Sequence, residues 1–340
     1  MSTTTGIEWT DATWSPIRAR VRDDAGAIAR AKGYKSLIQI ADKMAGNKGP
    51  HCESVSEECD RCYSETNNGR CLPANGTGLP FDRRSRDLVE VFLDEKILME
   101  PLRWKRGRRI FVENQSDLFG EWVPDEMIDR VFAVAALSSQ HTFQVLTKRS
   151  QEMREYFHDV GYRAEMIGID AELRSGLDRF VRSTDELTGT ADDILPRWPF
   201  PLPNVWLGVS VGARKHLHRI DDLRNTPAAV RFLSLEPLLE DLGTLDLTGI
   251  HWVIVGGESG DNTARMMQSR WVRSIRNQCI AAKVAFFFKQ WGSFLPDTEN
   301  PEMDEDSRGG APPWAGIHMS KKKAGRLLDG RTWDEMPEGR

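Results

Sequence analysis

Thiols are scarce in this chain and odd in number. Five cysteines in 340 residues rule out a disulfide framework, because such scaffolds are short, secreted and even in their cysteine count. No run of about 18 apolar residues is present to cross a bilayer. The opening Met1-Ser-Thr-Thr-Thr-Gly-Ile-Glu-Trp9 lacks the basic and apolar regions of a signal peptide. We therefore expect a cytoplasmic protein with no membrane partner, in a reducing compartment that keeps thiols available. A net charge of −5 provides no global basic field, so any nucleic-acid surface has to be local. With 39% hydrophobic and 29% charged residues, neither disorder nor fibrous structure is indicated.

Three of the cysteines fall in one stretch, His51-Cys52-Glu-Ser-Val-Ser-Glu-Glu-Cys59-Asp-Arg-Cys62-Tyr63. Thiolates bind soft metals and iron–sulfur clusters, and two cysteines separated by two residues can turn back on one centre. Cys52, Cys59 and Cys62 are thus the expected metal ligands. Three ligands leave a position open for chemistry, whereas a structural zinc site closes with four, and His51 is the candidate fourth. The residues leave both readings standing, along with that of unliganded thiols.

A repeated unit of apolar strand, polar loop and helix follows. The strands are Arg109-Ile-Phe-Val-Glu113, His141 to Arg149, Asn204 to Val211, Val230 to Pro237, His251 to Gly260 and Val284 to Phe288, with helices over Pro124 to Ser138, Glu152 to Phe157, Arg214 to Leu223 and Arg270 to Lys283. An earlier strand is expected within Ile7 to Pro16, and helices over Ser36 to Met44 and Leu88 to Arg103. Near-continuous apolar strands alternating with helices argue for a parallel sheet, and six or seven such units for a partial TIM-like (βα)6 barrel of mostly parallel strands. The expected organisation is one barrel domain over 1–295, with insertions at about 17–50 and 161–203, and a C-terminal extension over 296–340. Residues Pro296 to Pro313 read as a flexible tail, and Ile317 to Pro337 as a segment folding over the barrel.

In such a barrel chemistry gathers at the carboxyl ends of the strands. Asn114, Asp117, Lys148, Ser210, Glu236, Glu258 and Gln290 fall there. Gly256 and Gly257 let backbone approach a ligand closely and suit a floor for adenine or substrate. Candidate catalytic groups are Cys71, Lys148, Glu236 and Glu258; Lys148, Arg149 and Lys289 are candidates for holding an anionic substrate. Cys279 lies with Val272, Ile275 and Ile280 in the apolar part of a helix pattern and is expected in the core. Two basic groups, Arg18/Arg20/Arg22 and Arg103-Trp-Lys-Arg-Gly-Arg-Arg109, are candidates for nucleic-acid binding.

Glu8-Trp9-Thr-Asp-Ala-Thr-Trp14, the three spaced cysteines with Tyr63, Val145-Leu-Thr-Lys-Arg149, Leu233-Ser-Leu-Glu-Pro237, Val255-Gly-Gly-Glu-Ser259 and Phe288-Lys-Gln-Trp-Gly292 together resemble the phage and prophage "gp thirty-seven" family of three-cysteine-motif proteins. That family is similar to the radical S-adenosylmethionine enzymes, with spore photoproduct lyase as a similar branch; the six-residue gap before Cys59, and Arg61, differ from their usual pattern. The resemblance implies a [4Fe-4S] cluster on Cys52, Cys59 and Cys62, S-adenosylmethionine on its fourth iron, and an electron donor protein. It implies Asn114, Ser116 and Asp117 against the methionine part of the cofactor and Ser210 against its ribose, with Gly256, Gly257 and Glu258 as further cofactor contacts. The expected function is radical chemistry on an unidentified substrate, with a nucleic-acid base in view. The alternatives are a zinc-binding, phage-associated adaptor or nucleic-acid-binding protein, and a barrel hydrolase using Glu236 or Glu258.

Overall fold

The apolar runs form strands β1 (Ala12–Trp14), β2 (Ile17–Val21), β3 (Lys48–Gly49), β4 (Val89–Leu93), β5 (Arg109–Val112), β6 (Thr142–Thr147), β7 (Val205–Ser210), β8 (Val230–Leu235), β9 (Trp252–Gly256), β10 (Ala285–Gln290), β11 (Phe294–Pro296) and β12 (Gly316–His318). These come from a computed structural model that describes residues 5–70, 76–175, 199–260, 263–296 and 316–337. Seven of them make one sheet in the order β1-β5-β6-β7-β8-β9-β10. The β1–β5, β5–β6, β8–β9 and β9–β10 pairings are all parallel. This is a mixed α/β fold with the parallel half-barrel sheet of a partial TIM-like barrel. The chain divides into two compact units, one of Met1–Val55, Cys62–Trp206 and Thr226–Ala229, the other of Ser56–Arg61, Leu207–Asn225 and Val230–Arg340.

In the first unit, β5 and β6 bury Ile110, Val112, Phe143 and Val145, and the helix Asp125–Leu137 follows β5 with Val131, Phe132 and Ala135 buried. Val112, Phe143, Val145, Val131, Phe132 and Ala135 line a narrow apolar gap together with Trp14. Strand β1 is shorter than the run from Ile7 to Pro16 suggested, and β2 starts directly after Pro16.

One sequence expectation is corrected here. The stretch from Leu88 to Arg103 is not one helix: Val89–Leu93 is β4, followed by short helical turns at Glu95–Leu98 and Pro101–Arg103. Leu88, Val91 and Phe92 fit a helical spacing, but β-branched and aromatic residues over five positions suit a pleated strand. Tertiary pairing decides the matter, because β4 runs antiparallel to β2 with Ile17 opposite Leu93. Residues 17–50, expected as an insertion, supply β2, β3 and the helices Ala25–Ala31 and Ile38–Met44. Together with Leu79, Leu88 and Val89 they form a core of their own around Val21, Ala25, Leu37 and Ala41.

The stretch from 161 to 203 begins in a helix, Val160–Ser175; its residues 176–198 lie outside the described residues. So does most of the tail expected to be flexible, over 297–315.

In the second unit, β8, β9 and β10 stand side by side, and the helix Ser269–Ala282 buries Val272, Ile275 and Cys279. Burial pushes the Cys279 thiol up to about 12, so it stays protonated and acts as a small apolar core group. Beyond β12, the Phe288 N–H donates to the Trp333 carbonyl at 2.9 Å and the Trp252 indole donates to the Glu335 carbonyl at 2.9 Å. Residues 333–335 thereby cover the free edge of β10, an edge that would otherwise invite pairing with other chains. Among the described residues, no helix is long and apolar enough to cross a membrane.

Candidate functional site

At the carboxyl end of β5 the first unit gathers a set of polar groups. Glu113 directly follows the strand with a left-handed backbone, φ +50°, which is costly for a residue bearing a Cβ. Its side chain is buried: Oε1 accepts from the Ile17 N–H at 2.8 Å, and Oε2 has no hydrogen-bond partner among the described residues. Burial pushes its carboxyl up to about 8, against the backbone hydrogen bond from Ile17 and the charge of Arg18. At neutral pH it is largely a neutral acid.

The next residues fasten the cysteine loop. Asn114 Nδ2 donates to the Tyr63 hydroxyl at 3.2 Å, and that hydroxyl donates to the Asn114 carbonyl. Ser64 donates to the Gln115 carbonyl at 2.8 Å, and Ser116 donates to the His51 carbonyl. Both flanks of the loop, His51-Cys52 and Cys62-Tyr63-Ser64, are therefore stitched to 114–116. Asp117 ties β5 to β6 instead. Its Oδ1 accepts from the Thr147 hydroxyl at 2.6 Å and the Phe119 N–H at 3.1 Å, and its Oδ2 accepts from the Lys148 N–H at 3.1 Å. Asn114, Ser116 and Asp117 thus sit together past the end of β5, each with bonds that brace the protein itself.

Behind Cys52 lies a buried ion network. Arg86 grips Glu53 with two nitrogens, at 2.6 and 2.7 Å, and Arg149 stands 3.6 Å from the same carboxylate. Burial alone would raise the Glu53 carboxyl, but the neighbouring His51 ring and the hydrogen bonds from Arg86 hold it down at about 2. His51 Nε2 is 3.7 Å from Glu53, and its ring packs edge-on against Trp122 at 5.0 Å. Arg149 stacks on the same indole at 4.8 Å. The His51 ring is thus packed into this cluster with Nε2 buried and without a hydrogen bond among the described residues, and Arg149 balances buried carboxylates.

The second unit holds Cys59 by its neighbours. Glu58 is fully buried on its side-chain atoms, and accepts from the Gly212 N–H, just past β7, at 2.6 Å and from Arg219 at 3.1 Å. Arg219 also donates to the Ser210 carbonyl at 2.8 Å, so Ser210 enters this framework through its backbone. A Cβ on Gly212 would lie 2.3 Å from the Pro237 carbonyl and 2.8 Å from Glu58 Cγ; only glycine lets the segment pass. Arg265 donates to the Glu57 carbonyl at 2.8 Å and reaches Asp60 at 3.4 Å. The same guanidinium binds Glu258, which takes the Arg265 N–H at 2.8 Å and faces Arg61 at 3.5 Å. Glu258 is therefore an ion-paired anchor at the end of β9.

Gly257 is set by packing: an added Cβ would stand 2.0 Å from the Trp291 carbonyl. Gly256 makes room for Glu236, whose Oε1 would lie 2.4 Å from an added Cβ. Glu236 accepts from Ser234 at 3.1 Å and lies 3.1 Å from Lys289 Nζ.

Each basic group is compensated in part, and Arg103, Lys105 and Arg106 are exposed. Arg109 pairs with Asp11 at 2.7 Å, Arg20 with Asp23 at 2.8 Å and Arg22 with Glu90 at 2.9 Å, while Arg108 stacks on Trp104 at 4.7 Å. The run from Arg103 to Arg109 precedes β5, at the opposite end of that strand from Glu113. Cys71 lies outside the described residues. Cys52, Cys59, Cys62 and Cys279 are not in disulfides. Among the described residues, no three His, Cys, Asp or Glu side chains converge as metal ligands.

Residues 36–337 match the family model described as a protein of unknown function, DUF5131. The chain belongs to the DUF5131 family. No curated protein matches it. Among solved structures, this DUF5131 chain is similar to a spore photoproduct lyase mutant at 9% identity, over 78% of this chain and 82% of that one, with a TM-score of 0.33.

Glu113 was not singled out from sequence. It was read as the end of a strand, and the only available signal was an acidic residue closing an otherwise apolar run.

Proposed function

We propose that this DUF5131 protein is a radical S-adenosylmethionine enzyme, in line with its resemblance to the three-cysteine-motif phage proteins. Cys52, Cys59 and Cys62 would hold a [4Fe-4S] cluster, and a nucleic-acid base is the substrate class. The carrying observation is that, within each unit, the cysteine loop is pinned at strand carboxyl ends. In one unit it is pinned beyond β5, through Ser116, Asn114 and Gln115; in the other it is pinned beyond β7 and β9, through Glu58 and through Arg265 with Glu258.

The donor set fits the group. Three thiols outside any disulfide, with no fourth thiol in the loop, suit a site with an open position. The unpartnered Oε2 of Glu113 is a buried acceptor suited to an ammonium such as that of S-adenosylmethionine. When bound, the cluster and the sulfonium together would supply a deoxyadenosyl radical upon one-electron reduction by a donor protein. The chain's own work is then to hold the thiolates, to accept the ammonium at Glu113 and to keep water from the strand ends.

The test is anaerobic reconstitution followed by iron, sulfide and zinc analysis and an assay for deoxyadenosine after reduction. About four irons per chain, lost on replacing any of the three cysteines by Ala, with deoxyadenosine formed, is the expected result. One tightly held zinc without iron or cofactor cleavage would overturn the reading.

A further inference from the structure

The carboxyl ends of β8, β9 and β10 carry a second polar cluster, and its construction is unusual. Leu235 pairs with Val255, and Gly256 pairs with Gln290. Glu236, Gly256 and Gln290 consequently form a row across three adjacent strands with the smallest possible residue in the middle. The register of β10 shifts between Phe288 and Gln290, making Lys289 the extra residue of a bulge. Bulges at strand ends re-aim side chains, and this one sets Lys289 Nζ 3.1 Å from Glu236 Oε1.

The fold satisfies most of these atoms and leaves one over. Glu236 accepts from Ser234 and pairs with Lys289, and Gln290 Nε2 donates to the Gly257 carbonyl at 2.9 Å, but Gln290 Oε1 is buried with no hydrogen bond among the described residues. The Glu236 side chain is 13% exposed and that of Lys289 18%. A buried acceptor left without a donor is costly. One beside an ion-paired ammonium, at the edge where barrel ligands bind, asks for a hydrogen-bond donor from outside the chain.

The charges narrow the class of ligand. Lys289 is already neutralised by Glu236, so an anion would have to displace that carboxylate into a buried position. A cation would meet Lys289. What remains is a neutral group offering an N–H to Gln290 Oε1 and a carbonyl to the remaining N–H bonds of Lys289. We propose that Glu236, Lys289 and Gln290 bind the lactam or imide edge of a planar heterocycle, as a nucleobase presents. This replaces the expectation that Lys289 receives an anion, and it deepens the nucleic-acid-base reading of the proposed function, on which it rests for its substrate class.

The test measures binding alone, by calorimetry on the full-length reconstituted protein without reductant. The probes are uridine and guanosine, their N3-methyl and N1-methyl derivatives with the N–H blocked, and a short oligouridylate to separate a free nucleoside from a base within a strand. Uridine or guanosine should bind, and the methylated forms should bind at least about tenfold more weakly. Lys289→Met should weaken binding by a similar factor, as should Glu236→Gln, which keeps the shape of the side chain. Tighter binding of the oligouridylate with the same dependence on Lys289 would assign the base to a strand; weaker binding would assign it to a free nucleoside. Equal affinity for methylated and unmethylated probes, no binding of either nucleoside or the oligomer, or unchanged affinity in both variants would overturn the proposal. Failure of the radical reading shows elsewhere, as missing iron or deoxyadenosine, and leaves these affinities untouched.

Discussion

Replacing Glu113 by Gln should flatten the dependence of stability on pH across the neutral range. The Glu113 carboxyl is pushed from 4.5 to about 8 because it is wholly buried and receives only the Ile17 N–H, with Asp117 opposing ionisation and Arg18 favouring it. Below pH 4.5 the group is protonated in folded and unfolded chains alike, and its contribution is fully present. Between 4.5 and about 8 the unfolded chain gives up this proton while the folded chain keeps it, so unfolding releases a proton and rising pH favours the unfolded state. The loss is about 1.4 kcal/mol per pH unit; over the whole window it sums to roughly 4–5 kcal/mol. Above about 8 the slope disappears. Gln keeps the acceptor for Ile17 and cannot ionise, so it removes the slope; any fixed cost of burying its amide shifts the curve without tilting it. Urea denaturation followed by tryptophan fluorescence at several pH values from 5 to 8.5 reads this as the difference between the two proteins. The variant should gain on the wild type by several kcal/mol between the ends of that range. Parallel curves, differing by less than about 0.5 kcal/mol in their change with pH, would refute the buried, proton-bearing state of Glu113.

Two further substitutions test the bracing of the cysteine loop. Asp117→Ala removes the acceptors for Thr147, Phe119 and Lys148, and should cost about 2–4 kcal/mol; an unchanged urea midpoint would show that the tie is dispensable. Arg86→Met leaves the Glu53 carboxylate, 5% exposed on its side chain, without its two-nitrogen partner, at a cost of about 3 kcal/mol near pH 7. Because Glu53 is held at about 2, below its ordinary 4.5, the wild type should lose this stabilisation as pH falls through that interval. The variant should show less loss there by acid titration, and an equal loss would disconnect Arg86 from Glu53.

The strands of the large sheet were legible because parallel strands buried on both faces are nearly continuous apolar runs, and Ile110 to Val112 or Trp252 to Val255 cannot be read otherwise. Strand β4 was not, since Val-Glu-Val-Phe-Leu satisfies strand alternation and a short helical stripe equally, and only the partner β2, some seventy residues earlier in the chain, settles the choice. The three cysteines were visible from spacing alone. The bonds of Asp117, Ser116 and Glu258 were not, because a polar residue at a strand end looks the same whether it faces a ligand or fastens a loop. Lys289 shows the same limit: its position was apparent, but the carboxylate 3.1 Å away that cancels its charge comes from a strand over fifty residues earlier.

Glu113 concentrates the competition between stability and chemistry at the candidate site. A left-handed backbone at a non-glycine residue costs about 1 kcal/mol or more, and a buried carboxyl oxygen without a partner costs about 1–3 kcal/mol. Asn would take the φ of +50° more readily, and Gln would avoid the proton linkage; either serves a purely structural role better. The penalties become intelligible if a donor from outside the chain meets Oε2. A bound ammonium would satisfy the orphaned oxygen and favour the ionised carboxylate, reversing the local preference for the neutral acid. Ligand binding should then release a proton near neutral pH in the wild type and none from this position in the Gln variant, a difference that calorimetry in buffers of unequal ionisation heat can count.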